Sequence, residues 1–178
     1  LRPYRFAVLA DVQEAIPSVR DIYTRMNQDQ DIRFVVFSGD LTRRGSQEEL
    51  EEFEDRERDL RVPLYATLGN HELGADEVYF QKMFGRGNFH FQFRGVAFTL
   101  LDSGSATIDP LAYDWLEGWL EGAKERVHVV AMHIPPLDPV GTRSGAFASR
   151  SEAAKLLSML AKGKVDLSLY GHVHSFYA

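Results

Sequence analysis

The stretch Leu68-Gly69-Asn70-His71-Glu72 follows an apolar run and sets an amide beside an imidazole on a turn. Asn70 offers a hard carbonyl oxygen and His71 a titratable nitrogen, a pair suited to holding a hard cation and moving a proton beside it. Taken alone, the pair reads equally well as a turn asparagine with a surface histidine. The rest of the chain changes that balance, because four further apolar runs end on Asp11, on Asp40, on His133 and on the pair His172 and His174. Carboxylates, imidazoles and an amide oxygen without sulfur suit divalent transition metals. One tetrahedral site needs only three or four such donors; six or more point to two cations, roughly 3.5–4 Å apart in two-metal hydrolases. A single structural metal would leave Asp40 and Asn70 without a use for their oxygens.

The elements that must position these side chains are legible as periods. Tyr4 to Ala10, Arg33 to Ser38, Val62 to Thr67, Arg126 to Met132 and Val165 to Tyr170 are apolar runs of strand length, read as buried strands. Between them the spacing turns helical. Pro17 opens a helix with Val19, Ile22, Tyr23 and Met26 on one face. Ser46 and Glu49 form a capping box ahead of Leu50, Phe53, Glu57 and Leu60. A short helix is predicted from Asp76 to Phe84, stopped by Gly85. Asp109-Pro110 starts another with Leu111, Trp115, Leu116, Trp119 and Leu120 facing inward, and Ser149 with Glu152 caps the last. Phe89, Phe91 and Phe93 alternate with His90, Gln92 and Arg94; with Arg94-Gly95 and Val96 to Leu101 this predicts a hairpin, His90 lying on the polar face of an edge strand. Asp102, ahead of Ser-Gly-Ser, reads as a turn residue capping backbone amides. In an α/β sheet the crevice beyond the strands' carboxyl ends is where ligands bind, so the candidate side chains converge there.

Composition limits the function classes. The 178 residues, 44% hydrophobic, suit one domain with a full core. The net charge is −6, with no basic stripe, which argues against an extended nucleic-acid partner. Without cysteine, disulfides, thiolate metal sites and a thiol nucleophile are excluded. No apolar run is long enough for a membrane span and no signal peptide stands out, which leaves compartment and oligomeric state open.

The ordered set Asp11-x-Gln13, Gly39-Asp40, Gly69-Asn70-His71-Glu72, His133 and Gly171-His172-x-His174 resembles the calcineurin-like metallophosphoesterase superfamily over nearly the whole chain. The resemblance implies an α/β fold, a four-layer α/β/β/α sandwich of two mixed sheets flanked by helices. It also implies a single domain over 1–178 that lacks the C-terminal strands usual in the family. Carried over, Asp11 and His174 bind a first metal, Asp40 bridges both, and Asn70, His133 and His172 bind the second. His71 is then no ligand but a general acid, beside a metal-bridging hydroxide that attacks phosphorus. The expected substrate is a phosphodiester or small phosphomonoester. The rival is a member that keeps the fold as a binding or scaffold module without catalysis.

Two positions depart from the family pattern. Gln13 stands where a histidine is usual; its oxygen is a harder, weaker ligand, which favours manganese or iron at that site, with zinc or magnesium as alternatives, or leaves the site loosely filled. Arg43 stands where the serine/threonine phosphatases carry an aspartate, which argues against a protein phosphatase. Arg43, Arg44 and Arg143 are candidates for binding substrate phosphate through the guanidinium fork. Arg143 sits in the long loop of residues 134–148.

Overall fold

The computed structural model describes residues 3–141 and 145–177. Within them run seven strands, β1 Arg5–Leu9, β2 Ile32–Ser38, β3 Leu64–Thr67, β4 Phe89–Phe93, β5 Val96–Leu101, β6 Val127–Met132 and β7 Leu167–Leu169. Five α-helices lie between them: α1 Val19–Gln28, α2 Gln47–Glu57, α3 Phe80–Met83, α4 Pro110–Ala123 and α5 Arg150–Lys162. The first half of the chain builds a parallel sheet in the order β1-β2-β3. The second half builds a sheet in the order β4-β5-β6-β7, in which β4 alone is antiparallel to its neighbour. Arg94 and Gly95 both take positive φ, 49° and 87°, as a two-residue hairpin turn between β4 and β5 requires.

The continuous apolar runs have a physical cause, since each central strand is covered on both faces. Phe34 and Val36 of β2 meet Phe98 and Leu100 of β5 and Val129 and Ala131 of β6 in the layer between the sheets. Phe37, one residue out of phase, packs with Val19, Tyr23, Leu50 and Phe53 under α1 and α2. On the far side Val130 and Met132 pack against Leu116, Leu120, Leu156 and Leu160 of α4 and α5. The result is four layers, helix, sheet, sheet, helix. Phe34 is the hub of the middle layer: Tyr65, Phe91, Phe93 and Phe98 approach it edge-on at 5.8, 5.6, 5.4 and 5.0 Å, and Phe6 stacks on it at 5.7 Å. Each such pair adds about 0.5–1.5 kcal/mol beyond burial.

Helix starts follow the capping residues. Ser46 and Glu49 close a reciprocal capping box on α2, and Asp109 caps α4 ahead of Pro110. Ser149 caps α5, but the Glu152 carboxylate turns away to accept from Thr107 Oγ1, Ile108 N and Tyr113 OH. Three sequence expectations need correction. Ile22 of α1 and Leu111 and Trp115 of α4 are exposed; the inward stripe of α4 is Ala112, Leu116, Leu120 and Ala123, about 100° round from Leu111 and Trp115. The helix expected over Asp76 to Phe84 is regular only from Phe80 to Met83, because Val78 faces solvent and Phe80 is its single buried anchor.

The third correction is His90, whose face of the hairpin is covered. Its ring stacks on Trp119 at 5.8 Å, and its Nδ1 lies 2.9 Å from Thr99 Oγ1. Thr99 Oγ1 is also 2.8 Å from Nε2 of the fully buried His128. His128 Nε2 donating to Thr99, and Thr99 to His90 Nδ1, pairs these three atoms and leaves His128 Nδ1 bare. Burial, and then the neighbouring His90, pull His128 down to about 4. An unfolded chain protonates this ring near 6.5, so a depressed folded value means stability held at neutral pH and lost as pH falls from about 6.5 through about 4. The full loss is about 3 kcal/mol. The melting temperature of His128→Phe should therefore fall less steeply across that window than that of the wild type; parallel pH profiles would remove the assignment.

Candidate metal centre

Four of the five strands that carry a candidate leave their sheet through a left-handed residue or a glycine; β6, which delivers His133, is the exception. Asp11 and Asp40 both have φ 58°, Gln13 47°, His172 70° and His174 50°. These are five of the eight non-glycine residues with positive φ among the described residues. Such backbone costs of order 1–3 kcal/mol per residue, and it clusters where side chains must be aimed. The exits of β1 and β2 are tied together, Asp11 N donating to Gly39 O at 3.1 Å and Gln13 N to Asp40 O at 3.3 Å. Glycine is required at two close approaches. A Cβ on Gly69 would stand 2.1 Å from Asp40 Oδ1, and one on Gly171 2.9 Å from both Asp11 Oδ2 and His133 Nδ1.

The centre of the arrangement is the buried pair Asp40 and His133. His133 Nδ1 donates to Ser38 O at 2.8 Å, which fixes the tautomer and leaves Nε2 bare in the neutral ring. That Nε2 lies 3.2 Å from Asp40 Oδ2 and 3.1 Å from Asn70 Oδ1. Three lone-pair atoms from three strand ends thus face one another in one corner, an arrangement that a proton on His133 or a cation between them resolves. Asp40, His133 and His172 each bring one such atom within 4.8 Å of the others. Burial alone would raise the Asp40 carboxyl, but the hydrogen bond and charge of His133 outweigh it and hold it below its ordinary value. Burial likewise works against a charged His133, and Asp40 overcomes it in the opposite direction. Oxygen and imidazole donors that attract positive charge so strongly fit a divalent metal ion.

The remaining candidates line up beside this corner. Asp11 accepts from His172 N through both oxygens, at 3.0 and 3.1 Å, and its Oδ1 lies 3.2 Å from His174 Nε2. Burial raises the Asp11 carboxyl above its usual range, His133 pulling the other way. Gln13 turns the nitrogen end of its amide inward, Nε2 donating to Asp40 Oδ2 at 3.0 Å. Asp11, Gln13, Asp40, Asn70, His71, His133, His172 and His174 therefore come together at one edge of the two sheets.

A family model described as calcineurin-like phosphoesterase matches residues 4–176. The chain belongs to that family. It is 26% identical over 156 residues to a 3′,5′-cyclic-nucleotide phosphodiesterase of Nostoc sp., a match that covers 81% of this chain and 56% of that protein. The chain thus spans little more than half the length of that relative. Among solved structures it resembles a dimetal phosphatase from Danio rerio, with a TM-score of 0.73 at 15% identity, over 97% of this chain and 82% of that one. At that identity the likeness speaks for the fold.

Within this calcineurin-like phosphoesterase chain, His71 stands at the open side of the corner. Its main-chain N–H donates to Asp40 Oδ1 at 3.0 Å, its ring Nδ1 is 2.5 Å from Arg43 O, and its Nε2 is 3.7 Å from Asp40 Oδ2. The carbonyl of Arg43 thus orients the imidazole, while the Arg43 side chain is exposed beside it. Arg143 lies outside the described residues. Asp102 caps its own turn, accepting from Gly104 N at 3.0 Å.

One residue of weight escaped the sequence reading. Glu72 is fully buried; its Oε2 accepts from Asp40 N and Gly69 N at 2.9 and 2.8 Å, and its Oε1 from Thr42 N and Thr42 Oγ1 at 3.0 and 3.1 Å. It ties the Asp40 loop to the Asn70 turn. Its place directly after Asn70-His71 was the available signal, but nothing local reveals partners some thirty residues upstream.

Proposed function

We propose that the chain is a metal-dependent phosphohydrolase that cleaves a phosphodiester or a small phosphomonoester. The observation that carries this is the buried convergence of Asp40 Oδ2, His133 Nε2 and Asn70 Oδ1 beside the half-buried imidazole of His71. Asp11, Gln13, Asp40 and His174 would hold one divalent cation, and Asp40, Asn70, His133 and His172 the other, with Asp40 shared. Two cations there supply charge for the phosphoryl oxygens and lower the pKa of water. The protein's own residues do the rest. Asp40 and His133 sit in fixed orientations, through His71 N–H and Ser38 O, so neither has to reorganise as charge develops. His71 keeps one ring proton on the Arg43 carbonyl and turns Nε2 toward the Asp40 corner, 3.7 Å from Oδ2, where a second proton can pass to a departing alkoxide.

The name of the Nostoc relative supports a phosphodiester, and Arg43 in place of the aspartate of serine/threonine phosphatases speaks against a phosphoprotein. Arg43 and Arg143 are the proposed phosphate contacts, on the fit of guanidinium to phosphate. Manganese or iron suits the oxygen-rich set that includes Gln13. The test is elemental analysis together with hydrolysis of bis-p-nitrophenyl phosphate and p-nitrophenyl phosphate in manganese. About two ions per chain and faster turnover of the diester are expected. Bound metal without turnover of either ester would favour a binding or scaffold module, and no bound metal would overturn the ligand assignment.

A further inference from the structure

The seven proposed ligands fall into two unequal sets. The Asp40, Asn70, His133 and His172 set is ready. Asp40 and His133 are fully buried, the His133 ring is held by Ser38 O, and Asp40, His133 and His172 already present one atom each within 4.8 Å. The Asp11, Gln13 and His174 set is not. The His174 side chain is 38% exposed where that of His133 is 0%, and both Asp11 oxygens already accept from His172 N. Gln13 is the decisive residue, because it offers Asp40 Oδ2 an N–H at 3.0 Å where a ligand would offer a lone pair. To bind a cation its amide must turn over and give up that hydrogen bond, and what it then presents is a neutral oxygen, a weaker donor than imidazole for a transition metal.

We infer that the two positions fill in order, Asp40-Asn70-His133-His172 tightly and Asp11-Gln13-His174 weakly, and that Gln13 sets the gap between them. The inference rests on the dinuclear reading above. It makes the chain a one-ion protein at low metal concentration and a two-ion protein at high concentration.

The test titrates the full metal-stripped chain with Mn2+ alone. Bound metal is read by equilibrium dialysis with elemental analysis, and electron paramagnetic resonance separates isolated ions from spin-coupled pairs. The wild type should bind one isolated ion, then a second, with dissociation constants at least about tenfold apart, the coupled signal arriving only with the second. Gln13→His should tighten the second step by about 10–100-fold and leave the first within about twofold. Gln13→Glu, nearly the same size, should tighten the second step as well and guards against a histidine that misfolds. Two equally tight ions in the wild type, coupled from the start, would overturn the ordering and leave the dinuclear reading standing. Two steps that neither variant moves would overturn the role of Gln13. One ion at every concentration, or none, would overturn the inference together with the dinuclear centre.

Discussion

Replacing His71 with alanine is expected to lower kcat by about 10²–10⁴-fold on a diester with an alkoxide leaving group, with metal content unchanged. Metal content should hold because the hydrogen bond from residue 71 to Asp40, the proposed shared ligand, is its main-chain N–H, donated to Asp40 Oδ1, and alanine keeps it. What alanine removes is the ring that Arg43 O orients, with Nε2 3.7 Å from Asp40 Oδ2. A general acid matters most when the departing oxygen is basic. The loss should therefore be much smaller on a p-nitrophenyl ester, whose phenolate leaves without a proton. Equal losses on both substrates would assign His71 to charge stabilisation instead of proton transfer, and a matching loss of metal would make it a ligand.

Glu72→Gln is expected to damage fold and site together, although it alters a single atom. Each carboxylate oxygen takes two donors, and a glutamine can present an oxygen on only one side. If its NH2 takes the place of Oε2 it meets the N–H groups of Asp40 and Gly69; if it takes the place of Oε1 it meets Thr42 N–H, with only Thr42 Oγ1 able to accept. At about 1–3 kcal/mol for each buried donor left unpaired, the cost is about 2–4 kcal/mol. For a domain of this size that lowers the melting temperature by roughly 10 °C. Asp40 and Asn70 lose the brace between their loops, so metal affinity should fall in the folded fraction as well. A variant with wild-type melting temperature and wild-type metal affinity would remove Glu72 from this role.

The parts of the molecule that depend on local pattern were readable in advance. Apolar runs ending in Asp11, Asp40, Asn70, His133 and His172 place the strands and their exits, and Ser46, Asp109, Ser149 and Arg94-Gly95 mark helix starts and the hairpin, all found where expected. What depends on distant partners was not readable. Runs covered on both faces look alike whichever sheet they join, so family resemblance implied two sheets, and the division into β1-β2-β3 and β4-β5-β6-β7 is a property of the fold. His90 followed the polar phase of its strand, yet Trp119 of another element closes over it. Glu72 takes its donors from residues 30 and 32 positions upstream. Gln13 was visible as a residue type, but which end of its amide faces Asp40 is a property of the fold.

The aromatic layer around Phe34 has a consequence for tolerance. Asp11, Asp40 and Asn70 leave one sheet, and His133, His172 and His174 leave the other. A slip of one sheet against the other by a single residue, about 3.3 Å along the strands, would be as large as the 3.2 Å that now separates Asp40 Oδ2 from His133 Nε2. The interlocked rings of Phe6, Phe34, Tyr65, Phe91, Phe93 and Phe98 therefore act as a registration key between two plates, and their fit decides at the far edge whether the facing donors meet or miss.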